Sequence, residues 1–348
     1  MRFENVCIES LGYHLPDNVV TSEDLERRLA PLYDKLKLPY GRLEMMSGIR
    51  ERRFFEKGVF PSQVASLAGE QALSKTRIDR KNIGCLINGS VCRDFLEPAT
   101  ASVIHHNLKL PSESLVFDIS NACLGVMNGM VHTANMIEAG QIQAGLIVAG
   151  ENGGPLVETT LETLLADPHP SRAKIKSAFA SLTIGSAAVA VLLVHRDLSS
   201  RGHRLLGAVA RAETRFNELC QGNQDMGMGE DSSPLMETDS ETLMKEGCLL
   251  AKRTWAAARS SFDWENEDVN RIFCHQVGHM QRKLLYETLE LDLEKDFSTL
   301  EYLGNTGSAA LPVTLAMGEE KDAVRQGDTV ALLGIGSGLN CLMMGVEW

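Results

Sequence analysis

Short apolar runs with strand character recur along this chain, separated by stretches with helical periodicity, and that alternation restricts the fold more than any other feature. Five runs lie in the first part, at residues 6–11, 83–88, 115–119, 145–149 and 187–194. Four more follow at 205–210, 271–275, 329–335 and 341–346, with a long helix pattern over 242–260. Strands that alternate with helices build sheets covered by helices, so the expected class is α/β. At 348 residues the chain is long enough for two core-forming units, and the two sets of strands divide it at 1–198 and 199–348. The acidic, glycine-containing stretch 221–246 is expected to be an exposed loop running into a helix, and the proline-rich stretch 167–170 another loop.

The run at 115–119 ends just before Asn121-Ala122-Cys123, and an almost uncharged helix pattern starts behind it with Leu124, Val126, Met127, Met130, Val131, Ala134 and Ile137. A cysteine at that point leads a helix buried on most sides. Unpaired backbone N–H groups and the positive end of the helix dipole favour a thiolate there, the form that attacks carbonyls. The competing reading is a packed core cysteine, the usual fate of a free thiol. Two distant segments supply partners for a nucleophile. Arg271-Ile272-Phe273-Cys274-His275-Gln276 ends a strand pattern on a histidine, and Gly304-Asn305-Thr306-Gly307-Ser308 is a turn that opens a helix. A cysteine with a remote histidine and asparagine is the set expected of an acyl-transfer enzyme.

In residue type, order and context, these three segments resemble the active-site motifs of the thiolase superfamily, in its ketoacyl synthase III branch. Ser47-Gly48-Ile49-Arg50-Glu51-Arg52-Arg53 and Gly334-Ile335-Gly336-Ser337-Gly338-Leu339-Asn340 extend the resemblance over most of the chain. It implies the thiolase fold: duplicated βαβαβαββ halves in a five-layer αβαβα sandwich, with the site at their junction. Cys123 would then carry the acyl group, and His275 and Asn305 would hydrogen-bond the second substrate's carbonyl oxygen. The backbone N–H groups of Cys123 and Gly338 would form the oxyanion hole.

One segment narrows the reaction. Ketoacyl synthases III generate their carbanion by decarboxylating a malonyl thioester and need no base, whereas removal of an α-proton from an acyl thioester requires one. Arg93-Asp94-Phe95-Leu96-Glu97-Pro98 offers Glu97, unless that carboxylate serves only the first turn of the following helix. The segment from Glu97 through Ser102, with its spacing to Cys123, resembles the OleA-type enzymes of bacterial long-chain olefin biosynthesis. There the glutamate reaches into the neighbouring subunit of a homodimer. The resemblance implies a non-decarboxylative Claisen condensation of two long-chain acyl-CoA molecules to a 2-alkyl-3-oxo acid. Coenzyme A thioesters would be substrates, with no tightly bound cofactor. The alternative is a ketoacyl synthase III that joins acyl-CoA to malonyl-acyl carrier protein. Met46 stands where enzymes of that kind that start fatty-acid synthesis commonly carry a coenzyme A-contacting arginine.

Composition excludes other classes. A formal charge of −12 disfavours nucleic acid and also repels coenzyme A, so a local basic patch is needed, for which Arg50, Arg52 and Arg53 are candidates. Eight scattered cysteines without a C-x-x-C pair point to reduced thiols in the cytoplasm. No leader or membrane span is expected. His275 and His279 have the i, i+4 spacing of a zinc protease, but Gln276 replaces the required glutamate, so no metal is expected. Small and flexible residues near Cys123 (Gly125, Met127, Gly129, Met130) are compatible with channels for two alkyl chains and a pantetheine arm.

Overall fold

The computed structural model describes residues 1–222 and 236–348. Among these, the main sheet has nine strands: β1 (Val6–His14), β2 (Ile83–Asn88), β3 (Leu115–Asp118), β4 (Ala144–Glu151), β5 (Ala187–His195), β6 (His203–Ala212), β7 (Arg271–Cys274), β8 (Thr329–Gly336) and β9 (Asn340–Glu347). The helices that matter most are α1 (Pro61–Ser74), α2 (Thr100–Asn107), α3 (Gly125–Glu138), α4 (Ser240–Phe262), α5 (His279–Leu289) and α6 (Ala310–Glu320).

Strand order shows an internal duplication. The first part runs β3-β2-β4-β5-β1 and the second β7-β8-β9-β6, which is the same sequence of places with the third strand missing. That place is held by a single parallel bridge between Ile272 and Asp296. The two parts join where β1 pairs antiparallel with β6 through Cys7 with Arg204 and Ile8 with His203.

Five layers follow from which face each residue buries. On β5, Ala187, Val189, Val191 and Leu193 point into a central core, while Ala188, Ala190, Leu192 and Val194 point into an outer one. Successive residues of a strand alternate faces, so a strand buried on both sides must be apolar throughout, as this one is. On β8, Val330 and Leu332 face the central core and Ala331, Leu333 and Ile335 the opposite outer core. Helices α3 and α6 fill the middle layer; α1 and α2 cover the first part, and α4 and α5 the second. Between the two parts of the sheet a helix has no wet side, and Ala310 through Gly318 of α6 are all buried. This is the five-layer α/β sandwich expected from the sequence.

Every expected main strand is present, most of them longer by one to three residues at an end. Two small ladders were not legible: Asn18–Thr21 with Glu51–Phe54, and Cys220–Gly222 with Met236–Thr238. At three or four residues each they are too short to display a period. The latter pair brackets the acidic stretch, of which residues 223–235 lie outside the described residues, and α4 begins at Ser240. Among the described residues, no helix is long and apolar enough to cross a membrane. The same residues contain no cluster of three metal-ligating side chains.

Candidate active site

Cys123 sits in a 3-10 turn (Ala122–Leu124) between β3 and α3. Ala122 has φ +45°, a left-handed conformation rare for a residue with a Cβ, so the chain reverses sharply just before the thiol. Two features seat this turn. Asn121 Nδ2 donates to Asn128 Oδ1 at 2.7 Å. Gly125 lies so close to β2's extension that a Cβ on it would stand 2.0 Å from the carbonyl oxygen of Gly89. Gly125 is therefore required by close packing, and a Cβ on Gly129 would likewise come within 2.7 Å of Ile147. Met127 and Met130 are buried in the central core. Close packing thus accounts for the two glycines, and both methionines belong to the central core.

The thiol does not rest as a thiolate. Burial pushes Cys123 up to about 12, with lesser contributions from Cys220 and Glu151 nearby. A helix N-terminus stabilises an anion by about 0.3–1 kcal/mol, less than one pH unit, so desolvation wins over the dipole invoked from the sequence.

His275 follows the last residue of β7, and its backbone N–H donates to Leu333 of β8 at 2.9 Å. The ring is buried, with 5% of the residue exposed, and neither Nδ1 nor Nε2 has a hydrogen-bond partner among the described residues. Burial pushes it down to about 4, so near neutral pH it is an uncharged imidazole. Two unpaired ring nitrogens in a protein interior are costly unless a ligand satisfies them.

Asn305 is held from both sides. Its backbone N–H donates to Thr183 and its carbonyl accepts from Gly185, each at 2.9 Å. The preceding Gly304 adopts φ +67°, and a Cβ on it would lie 2.7 Å from the Thr183 carbonyl oxygen. Gly307 N–H donates to Asn305 Oδ1 at 3.1 Å. An N–H can only donate, so the amide oxygen is committed and Nδ2 is left as the free donor.

The turn carrying Cys123 packs against both the Gly307–Ala309 turn and β8, the strand to which His275 is bonded. The glycine loop closes the same face. Gly338 has φ +74° in the tight turn between β8 and β9, and a Cβ on Gly336 would lie 3.0 Å from Leu124. Three segments from distant parts of the sequence thus meet around the Cys123 turn. Two surface clefts, of about 310 and 300 Å³, are lined by residues around α4 and α5 and have none of these side chains in their walls.

Glu97 is placed differently: it is exposed, and none of the described residues hydrogen-bonds its carboxylate. It does not cap α2. The first N–H groups of that helix, on Thr100 and Ala101, donate to the Asp118 carboxylate at 2.9 and 2.8 Å. The basic residues also separate. Arg52 is wholly buried, donating to Ser22 Oγ at 3.0 Å and to the Leu182 carbonyl at 3.2 Å, and burial pushes it down to about 10. It is a structural strut, not a grip for coenzyme A, which corrects that expectation. Arg53 is half-buried and bonds the Pro16 carbonyl. Arg50 is exposed and pairs with Glu301 at 3.0 Å.

One residue of this region had no signal in the sequence. Glu151, the last residue of β4, is buried and accepts hydrogen bonds from two different loops of the site. Only the tertiary structure brings those loops together.

Comparison with known proteins places the whole chain. The family described as thiolase, N-terminal domain, matches residues 46–164. The 3-oxoacyl-(acyl-carrier-protein) synthase III family matches residues 117–213, and its C-terminal family residues 260–348. A protein of Shewanella oneidensis named acyl-CoA:acyl-CoA alkyltransferase is 43% identical over the full length of both chains. A beta-ketoacyl-(acyl-carrier-protein) synthase III of Clostridium tetani, also aligned over the full length, is 24% identical. Among solved structures, an OleA variant of Xanthomonas campestris with bound lauric acid and lauroyl-CoA superposes with a TM-score of 0.93 at 36% identity, covering 99% of this chain and 100% of that one.

Proposed function

This chain belongs to the acyl-CoA:acyl-CoA alkyltransferase family, on a thiolase fold, and from that premise we propose that it joins two long-chain acyl-CoA molecules head to head. The observation that supports the chemistry is a pair of uncharged donors on segments packed around the Cys123 turn: His275, neutral with neither ring nitrogen hydrogen-bonded among the described residues, and Asn305, whose amide oxygen is taken and whose Nδ2 has no partner among them. Two neutral donors suit an oxygen on which negative charge develops.

In this reading Cys123 attacks the carbonyl of the first acyl-CoA, and because its resting form is the thiol its proton is lost as the S–C bond forms and ends on the sulfur of the departing coenzyme A. Free coenzyme A leaves. The second acyl-CoA places its thioester oxygen on His275 and Asn305, and Glu97 takes its α-proton. The resulting enolate carbon attacks the Cys123 thioester, releasing the Cys123 sulfur. Hydrolysis of the remaining CoA thioester gives the 2-alkyl-3-oxo acid and a second coenzyme A. The Cys123 and Gly338 backbone N–H groups serve as the oxyanion hole. The first part, 1–198, supplies Cys123 and Glu97, and the second, 199–348, supplies His275, Asn305 and Gly338.

Glu97 acts, in this account, in the partner subunit of a homodimer. Three features support that arrangement. Glu97 has no partner of its own among the described residues, although a general base must reach the proton it abstracts. Strand β3 is one of the two edge strands of the sheet. Val91, Phe95 and Leu96 of the loop that leads to Glu97 are exposed, as are Leu115 of β3 and Phe60, whose ring centroid lies 5.7 Å from that of Phe95. Of the three arginines, Arg50 alone presents an exposed guanidinium to an anionic cofactor arm.

The test separates acylation from carbon–carbon bond formation. Glu97→Gln, His275→Ala and Asn305→Ala are each expected to form the acyl adduct on Cys123, seen by mass spectrometry, and then to stall. Loss of a general base costs about 10² to 10⁴ in rate. In deuterated water the Glu97→Gln variant should not exchange the substrate α-proton. Condensation at near wild-type rate in that variant would remove Glu97 from the mechanism, and failure of the histidine or asparagine variants to acylate would redraw their roles.

A further inference from the structure

Among the described residues, Glu151 is the one buried carboxylate that bridges loops from both parts of the chain at the candidate site, and the proposed chemistry gives it no role. Its Oε1 accepts from the Val91 N–H at 2.9 Å, the Ser308 N–H at 3.1 Å and the Ser308 hydroxyl at 2.5 Å. Its Oε2 accepts from the Cys92 N–H at 3.2 Å. No cation pairs with it among the described residues, so four donors satisfy it.

Each of those donors leads to a residue of the proposed chemistry. Cys92 begins the segment that ends at Glu97. Ser308 belongs to the turn whose Gly307 N–H holds the Asn305 amide, and a Cβ on Gly307 would come within 3.1 Å of the Glu151 carboxyl carbon. Glu151 also lies close enough to Cys123 to act on its charge. Other buried glutamates brace surface loops in the same way, as Glu9 does with Ser199 and Ser200, but those loops carry none of the site residues.

We infer that Glu151 is a positioning residue for the condensation step: one carboxylate fixes the Asn305-bearing turn beside Cys123 of its own site and anchors the loop whose Glu97 reaches the partner's site. A carboxylate is suited to this because both oxygens only accept, and all four groups aimed at it donate. Glutamine keeps the size but has one accepting oxygen: with its NH₂ at the Oε2 position it confronts the Cys92 N–H and loosens the Glu97-bearing loop, and with its NH₂ at the Oε1 position it confronts the Val91 and Ser308 N–H groups and opens the clamp on both sides. The inference rests on the head-to-head reading, since it assigns Asn305 and the Glu97 loop to the second substrate only.

The test compares wild type, Glu151→Gln and Ser308→Ala in two assays with acyl-CoA alone: the single-turnover burst of coenzyme A from acylation of Cys123, and steady-state formation of the condensed product. Misplacement of reacting groups by about 1 Å costs about 10²-fold. Glu151→Gln should therefore acylate within a few-fold of wild type, while kcat for condensation falls by about that factor with KM little changed. Ser308→Ala, which deletes only the hydroxyl donor, should show the same split at about 3- to 10-fold. Condensation at wild-type kcat in either folded variant overturns the clamp, as does an equal loss in both assays. If Glu151→Gln does not accumulate as folded protein, Ser308→Ala decides alone. A wild-type enzyme that acylates but never condenses would overturn the function proposed above instead.

Discussion

At the scale of single residues, the site is governed by desolvation. Sequence position placed Cys123 at a helix start and so predicted a thiolate, but a dipole is a weak field beside the loss of water. The same burial that raises Cys123 to about 12 keeps His275 uncharged, at about 4. The two therefore do not form a thiolate–imidazolium pair in the resting enzyme, and the thiol must shed its proton during attack. This has a pH signature. Below its pKa a thiol gains about tenfold in thiolate per pH unit, so alkylation of Cys123 by iodoacetamide should climb steadily from pH 7 to pH 10 without levelling. Peptide mapping against Cys123→Ala identifies the adduct. A plateau reached by pH 7 would show a preformed thiolate and contradict this account.

At the scale of elements, legibility in the sequence followed length and chemistry. The nine main strands and the helix over Ser240–Phe262 were readable because a strand covered on both faces is continuously apolar and a long helix shows its period. Cys123, His275 and Asn305 were readable because each stands at the end of such an element with a distinctive neighbour. Arg52 was misread, since a basic run looks solvated in sequence and nothing local reveals that Ser22 and Leu182 enclose its middle member. Glu151 was invisible for a related reason: its partners lie 59 to 157 residues away. The joint between β2 and α3 offers a test of element packing. Gly125→Ala drives a methyl into the Gly89 carbonyl, 2.0 Å away, and neither backbone has room to yield. Overpacking of this kind typically costs about 1–3 kcal/mol, and here it also displaces the Cys123 turn. Both the thermal midpoint and the acylation burst should fall together; a variant with wild-type acylation would mean that the turn is not seated by this contact.

At the scale of the whole molecule, the duplicated halves set Cys123 against a face built by the second half, while Glu97 stands on the outside beside a free sheet edge. A site completed across a homodimer interface makes an asymmetric prediction. Cys123→Ala and Glu97→Gln are each inactive alone, but a mixed dimer contains one site with both residues intact. Equal mixing after reversible dissociation should restore about a quarter of wild-type activity, whereas a base acting within its own chain would restore none. The reaction itself is tested most directly by carbon labelling. The enzyme is given a single long-chain acyl-CoA labelled with carbon-13 at its carbonyl carbon, with unlabelled malonyl-acyl carrier protein also present, and the oxo acid is analysed before it can decarboxylate. Head-to-head condensation predicts label at both C1 and C3 of a 2-alkyl-3-oxo acid, with two coenzyme A molecules released per product. A product labelled at C3 only, two carbons longer than the substrate, would contradict it and make the enzyme a malonyl-dependent ketoacyl synthase.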